Sequence, residues 1–208
     1  MKLILSTVGT SLLTNQVEGQ QRSELIKSAN LQENQYTSAI FGLIEYVKET
    51  LRSKLQEAKE ADLRRLSAEL NGILGIYDGT FPENSQDMHV LIATDTYQGS
   101  VTAKTIKNFL ESKGFQVIIY TPNKLTTENK INFTNGVKNL LYWLENELNI
   151  ENWKVRGYEI IFNLTGGFKS LQGYLNTIGM FYADRLVYIF EAGNELIEIP
   201  KLPIEIDE

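Results

Sequence analysis

The chain has 208 residues, no cysteine, a single histidine and a formal net charge of −6, with a pI near 5.0. That length holds one α/β domain with a full core and is short for two large ones. The composition excludes disulfides, a thiol nucleophile, thiolate metal sites and a His-His metal cluster, and its acidity argues against broad duplex DNA binding through a basic face.

Lys2 to Val8 is a short apolar, β-prone run ending in Gly9-Thr10-Ser11, which predicts a first central strand feeding a loop. The apolar stretch at the N-terminus is shorter than a signal-peptide core, and no run approaches the length of a membrane span, so a cytoplasmic protein is expected. Thr14 to Asn34 is polar and mixed, with no firm structural signal. From Thr37, the residues Ile40, Phe41, Ile44, Val47, Leu51 and Leu55 recur at three- and four-residue steps and predict an amphipathic helix. A second helix is predicted over Asp62 to Ile76, with Leu63, Leu66, Leu70 and Leu74 on one stripe. Together these form a helical insertion after the first strand, at about residues 35–78.

His89 to Thr94 reads as the second central strand, closing in Asp95-Thr96-Tyr97-Gln98-Gly99-Ser100 ahead of a helix over Val101 to Ser112. Gly114 ends that helix, and Gln116 to Tyr120 supply a third strand. The stripe Phe133, Val137, Leu140, Leu141 and Leu144 marks another helix. Tyr158 to Phe162 is a buried strand, followed by Asn163-Leu164-Thr165-Gly166-Gly167-Phe168-Lys169-Ser170 and a helix over Leu171 to Tyr182. A strand over Arg185 to Phe190 and a hairpin through Ala192-Gly193-Asn194-Glu195 into Leu196 to Ile199 complete the chain. Alternating strands and helices imply an α/β fold, with a mostly parallel sheet covered by helices on both faces, in a single domain over 1–208.

Three polar strand ends recur, and in open α/β sheets ligands bind beyond the carboxyl ends of the strands. The segment Asn163 to Ser170 has the parts of an anion site: two glycines that admit close backbone approach, free amides at a helix start, and a lysine. It is not a P-loop, because Phe168 and Asn163 stand where that motif requires glycine. Each residue also has a plainer reading. The glycines suit tight backbone packing, Asp95 and Ser170 suit helix capping, and Thr10 and Ser11 suit a turn. His89 lies at the start of a strand, away from the carboxyl ends, and reads as structural or surface rather than as a general base.

The pieces Ser6-Thr7-Val8-Gly9-Thr10-Ser11-Leu12-Leu13-Thr14-Asn15, Ser67-Ala68-Glu69-Leu70-Asn71, Thr94-Asp95-Thr96 with Gly99, and Asn163-Leu164-Thr165-Gly166-Gly167-Phe168-Lys169 occur in order over most of the chain. In this combination it resembles the CRISPR-associated Rossmann-fold (CARF) domains of type III CRISPR systems, and is closest to the small standalone CARF proteins. The resemblance implies a Rossmann-like sheet and a homodimer that binds a cyclic oligoadenylate, most often the four-adenosine ring, across its two-fold axis. The chain ends at Glu208 with little room for an appended nuclease, so it looks like a CARF-only protein. Such proteins include ring nucleases, which open the ring by attack of a ribose 2′-hydroxyl on its neighbouring phosphate, with no metal or other cofactor required. On that pattern Lys169 stabilises charge and Ser11 acts beside it, while Gly9, Thr10, Gly166 and Gly167 hold phosphate and ribose. Asp95, Thr96, Tyr97, Gln98, Asn163, Thr165, Phe168 and Ser170 join the ligand-binding set, with Tyr97 and Gln98 meeting adenine. The segment 15–34 is a candidate cover for the pocket. The alternative is a non-catalytic sensor of the ring that acts through a separate partner.

Overall fold

A computed structural model describes residues 1–190 and 195–203. Among the described residues six strands form one sheet: β1 (Lys2–Val8), β2 (Met88–Ala93), β3 (Gln116–Tyr120), β4 (Glu159–Asn163), β5 (Arg185–Ile189) and β6 (Leu196–Ile199). Their spatial order is β3-β2-β1-β4-β5-β6. All pairings are parallel except β5 with β6, which is antiparallel. The expected turn between those two strands falls on residues 191–194, outside the described residues. The result is the α/β, Rossmann-like arrangement, with its order reversing between β1 and β4.

Strand residues alternate between the two faces, as a period of two requires. Ile4, Val8, Leu91 and Ile161 join one core cluster, while Leu3, Leu5, Val90 and Phe162 join the other. The first face is covered by α1 (Ser11–Thr14), α2 (Gly19–Lys27), α3 (Ser38–Glu57), α4 (Glu60–Leu66), α5 (Ala68–Ile76) and α6 (Tyr97–Ser112). The second is covered by α7 (Lys130–Tyr142), α8 (Ile150–Val155) and α9 (Lys169–Tyr182). Burial of the central strands β1, β2 and β4 on both sides explains why they read as nearly continuous apolar runs.

Four differences from the sequence expectations bear on function. The span Asp62 to Ile76 is two helices, not one. Ser67 adopts φ −154° and ψ 154°, and its hydroxyl accepts the Leu70 N–H at 3.0 Å, so a new helix starts where the leucine stripe ran on unbroken. The helix expected from Val101 starts at Tyr97, a full turn earlier, because Thr96 caps it by accepting the Gly99 N–H at 3.1 Å. The segment 15–34, which showed no firm signal, contains α2. That helix buries only Leu25, too little to produce a periodic stripe. The helix after the glycine pair begins at Lys169 rather than Leu171.

His89 is fully buried at the amino end of the sheet. Its Nε2 lies 3.0 Å from the Tyr77 hydroxyl, which donates to the Asp87 carboxylate at 3.1 Å, and Phe115 packs edge-on at 4.8 Å. Burial therefore holds the imidazole neutral, with its pKa driven down to about 3. The unfolded chain has an ordinary histidine of pKa about 6.5 and takes up a proton that the folded state refuses. Stability should fall by about 2 kcal/mol from this group alone between pH 7 and pH 5. Urea unfolding of wild type and His89→Phe at both pH values checks this: the variant should lose that part of the slope, and equal slopes would contradict it.

Candidate functional site

At the carboxyl edge, the chain leaves β1 toward one face and β4 toward the other. This is the topological switch point at which open α/β sheets bind ligands. The two loops that meet there touch through their backbones. A Cβ added to Gly9 would lie 3.1 Å from the Gly167 Cα, and one added to Gly167 would lie 2.7 Å from the Thr7 Cβ. Gly167 also holds φ +88°, in the left-handed region that L side chains rarely adopt. The Gly166 carbonyl accepts from the Thr7 hydroxyl and, at 3.0 Å, from the Gln172 amide. Across a trans peptide the Gly167 N–H points the opposite way, and it has no partner among the described residues.

Glu69 binds these loops together. The break at Ser67 places it in the first turn of α5, where it is fully buried. Its Oε1 accepts the Gly9 N–H at 2.8 Å, and its Oε2 accepts the Ser11 hydroxyl at 2.6 Å. The Ser11 oxygen in turn accepts the Ala68 N–H at 3.2 Å. A Cβ on Gly166 would come within 2.5 Å of the Glu69 Cγ and 2.6 Å of Oε1. Two hydrogen bonds and the positive end of α5 offset the cost of burying this carboxylate. Glu69 was absent from the expected site residues. Its local signal is a capping serine followed by an acid in the next helix's first turn, and this was masked by the leucine stripe.

Lys169 opens α9 and is exposed, with no ion pair or hydrogen bond among the described residues. Phe168 precedes it at the N-cap and offers no capping side chain, so the first amides of α9 remain available. Phe168 itself packs partly buried against the second core cluster. Thr10, half-buried, precedes α1 without a side-chain cap bond, and Ser170 is exposed. Gly9, Thr10, Ser11, Gly166, Gly167 and Lys169 are thus gathered at the switch point.

Other expected ligand residues are engaged elsewhere. Asn163 is fully buried; its amide donates to the Ser6 hydroxyl at 3.1 Å and its Oδ1 accepts the Thr165 N–H at 3.2 Å. The Thr165 hydroxyl accepts the Ile189 N–H at 3.2 Å. Asp95 accepts the Lys124 N–H at 2.9 Å, tying the β2 loop to the β3 loop, rather than capping α6. Tyr97 and Gln98, expected to meet adenine from a loop, lie instead in the first turn of α6. Gln98 is fully buried and donates to the Leu25 carbonyl at 2.9 Å and the Ser28 hydroxyl at 3.2 Å. Tyr97 stacks on Phe41 at 5.6 Å and donates to Glu45 at 2.8 Å; burial and that carboxylate raise its pKa. Tyr97 thus holds α6 against α3 of the insertion and Gln98 holds it against the end of α2, as the early helix start dictates. Among the described residues no three or more of His, Asp and Glu are grouped as metal ligands.

The packing at Gly166 yields a test of this clamp. Gly166→Ala should destabilise the fold by about 1–3 kcal/mol, because its methyl group overpacks the Glu69 carboxylate. Gly173→Ala, at an open position of α9, serves as the control. Urea unfolding reads both, and a Gly166→Ala midpoint equal to wild type would contradict the packing.

Residues 64–202 match the family model described as CRISPR-associated protein (Cas_APE2256). The match starts within α4 and takes in Glu69, the β2 loop, the paired glycines and Lys169. No helix among the described residues is long and apolar enough to cross a membrane. With well over half of its length matched, the chain belongs to the Cas_APE2256 family of CRISPR-associated proteins.

Proposed function

We propose that this CRISPR-associated protein binds a cyclic oligoadenylate, foremost the four-adenosine ring, and opens it without a metal ion, so ending a type III CRISPR signal. The observation that carries the reading is Lys169. It is an exposed cation, unpaired among the described residues, at the uncapped start of α9, next to the Gly9–Gly167 junction, on a chain whose net charge is −6. A local positive site on an acidic protein suits a small, multiply charged anion better than a long polyanion.

The ring carries its own nucleophile, the ribose 2′-hydroxyl, so the protein has to align that oxygen with the phosphate and the leaving 5′-oxygen. Lys169 and the free amides near Gly167 then stabilise the extra charge on phosphorus oxygens as the 2′-oxygen attacks. The products are linear adenylates with 2′,3′-cyclic phosphate ends. A two-fold homodimer would present the same loops to each half of a symmetric ring.

Purified protein incubated with cyclic tetra-adenylate in the presence of chelator should give linear products. Lys169→Ala should slow single-turnover cleavage by roughly 10- to 1,000-fold. Wild-type conversion no faster than buffer defeats the cleavage reading. Tight binding without product would favour a sensor that acts through a separate protein, and no affinity for cyclic tri-, tetra- or hexa-adenylate would defeat both.

A further inference from the structure

We propose that Glu69 is the positioning residue for Ser11: it takes the serine hydroxyl's hydrogen, so that Ser11 meets a ligand as a hydrogen-bond acceptor for a ribose 2′-hydroxyl. This rests on the ring-binding reading above. A serine hydroxyl has one hydrogen and two lone pairs. In this protein the hydrogen goes to Glu69 Oε2 at 2.6 Å, and one lone pair accepts the Ala68 N–H at 3.2 Å. What remains on this half-buried residue is a single lone pair. Ser11 is therefore poorly suited to donate to a phosphate oxygen and well suited to accept from a hydroxyl. Glu69 cannot turn away, because Oε1 is held by the Gly9 N–H at 2.8 Å and Gly166 closes over the carboxylate.

The same chain of atoms gives the departing proton a route. As the 2′-oxygen bonds to phosphorus, its proton passes to Ser11 Oγ and the Ser11 proton passes to Glu69 Oε2. The bond from phosphorus to the 5′-oxygen breaks, and that oxygen takes a proton from the Lys169 ammonium. Glu69 then returns its proton to Ser11 Oγ as Ser11 releases one to solvent, and the exposed Lys169 takes one from solvent, so each side chain ends the turnover as it began. Acceptor geometry at Ser11 also makes the site selective for ribose over 2′-deoxyribose, a preference that follows from hydrogen-bond bookkeeping at one hydroxyl.

Glu69→Gln separates these roles with little change of volume. The glutamine oxygen still accepts from Gly9, but its NH2 faces Ser11, whose oxygen then receives two N–H donors. Its own hydrogen is released toward the ligand, and acceptor becomes donor. Wild type, Glu69→Gln, Ser11→Ala and the double variant are compared for binding of cyclic tetra-adenylate and its all-2′-O-methyl counterpart, whose 2′-oxygens accept but cannot donate, for single-turnover cleavage and for melting temperature. Wild type should prefer the ribose ring by about fivefold or more, the scale of one net hydrogen bond. Glu69→Gln should erase that preference, because a donor Ser11 bonds a 2′-hydroxyl and a 2′-ether alike, while keeping its affinity for the methylated ring, and slow cleavage by about 100-fold. The double variant should be no slower than Ser11→Ala.

A Glu69→Gln protein that keeps both the ribose preference and the wild-type rate overturns the assignment, even if Ser11→Ala is slow. Equal loss of affinity for both rings, together with a lowered melting temperature, overturns it in favour of a purely structural carboxylate. If wild type prefers the ribose ring but does not cleave it, the cleavage reading fails and the Glu69 assignment is decided by the binding arm. If wild type binds neither ring, both fall.

Discussion

A single buried carboxylate holds the candidate site together. Glu69 reaches from the insertion on one face of the sheet to the loop after β1, and the loop after β4 closes over it. A carboxylate out of water must find donors, and here they are the Gly9 amide and the Ser11 hydroxyl. The glycine pair follows from this arrangement as much as from any ligand. Gly166 has no room for a side chain because Glu69 is there, and Gly167 has none because Thr7 is. Close packing, the plainer reading of these glycines, is therefore enough to account for both of them.

The sheet order supplies the setting. With β1 and β4 adjacent and their following segments diverging, a crevice opens at the centre of the carboxyl edge. The α9 helix starts at that edge without a side-chain cap, whereas α3, α6 and α7 begin with caps from Thr37, Thr96 and Asn129. An uncapped start with an exposed lysine leaves amides and positive charge without a partner among the described residues. On the neighbouring strand, the Asp95 and Thr96 side chains bond the β3 loop and the first turn of α6.

The central strands β1, β2 and β4 were readable because they are buried on both faces and therefore apolar nearly throughout; β1, β3 and β6 have their expected limits. Gly9, Ser11 and Lys169 were readable as polar residues at strand ends. Tyr97 and Gln98 lie in a helix rather than in the expected loop because a capping threonine moves the helix start by a full turn, and one turn decides whether a side chain faces solvent or the neighbouring helix. Glu69 stayed out of view because the leucine stripe on either side of Ser67 has an unbroken helical period. Only the backbone break at Ser67 turns the glutamate inward.

By itself the sequence determined the α/β class, the strand and loop sequence, and the chemical character of the loop ends, because burial on two faces and turn chemistry are local and leave a periodic trace. Tertiary structure alone decided which of those loops touch, and that a glutamate from an inserted helix joins them. It also decided which way the Ser11 hydroxyl can act. Those outcomes depend on contacts between residues some 60 to 160 positions apart, such as Gly9 with Glu69 and Thr7 with Gly166, and no local pattern encodes where a buried carboxylate will find its donors.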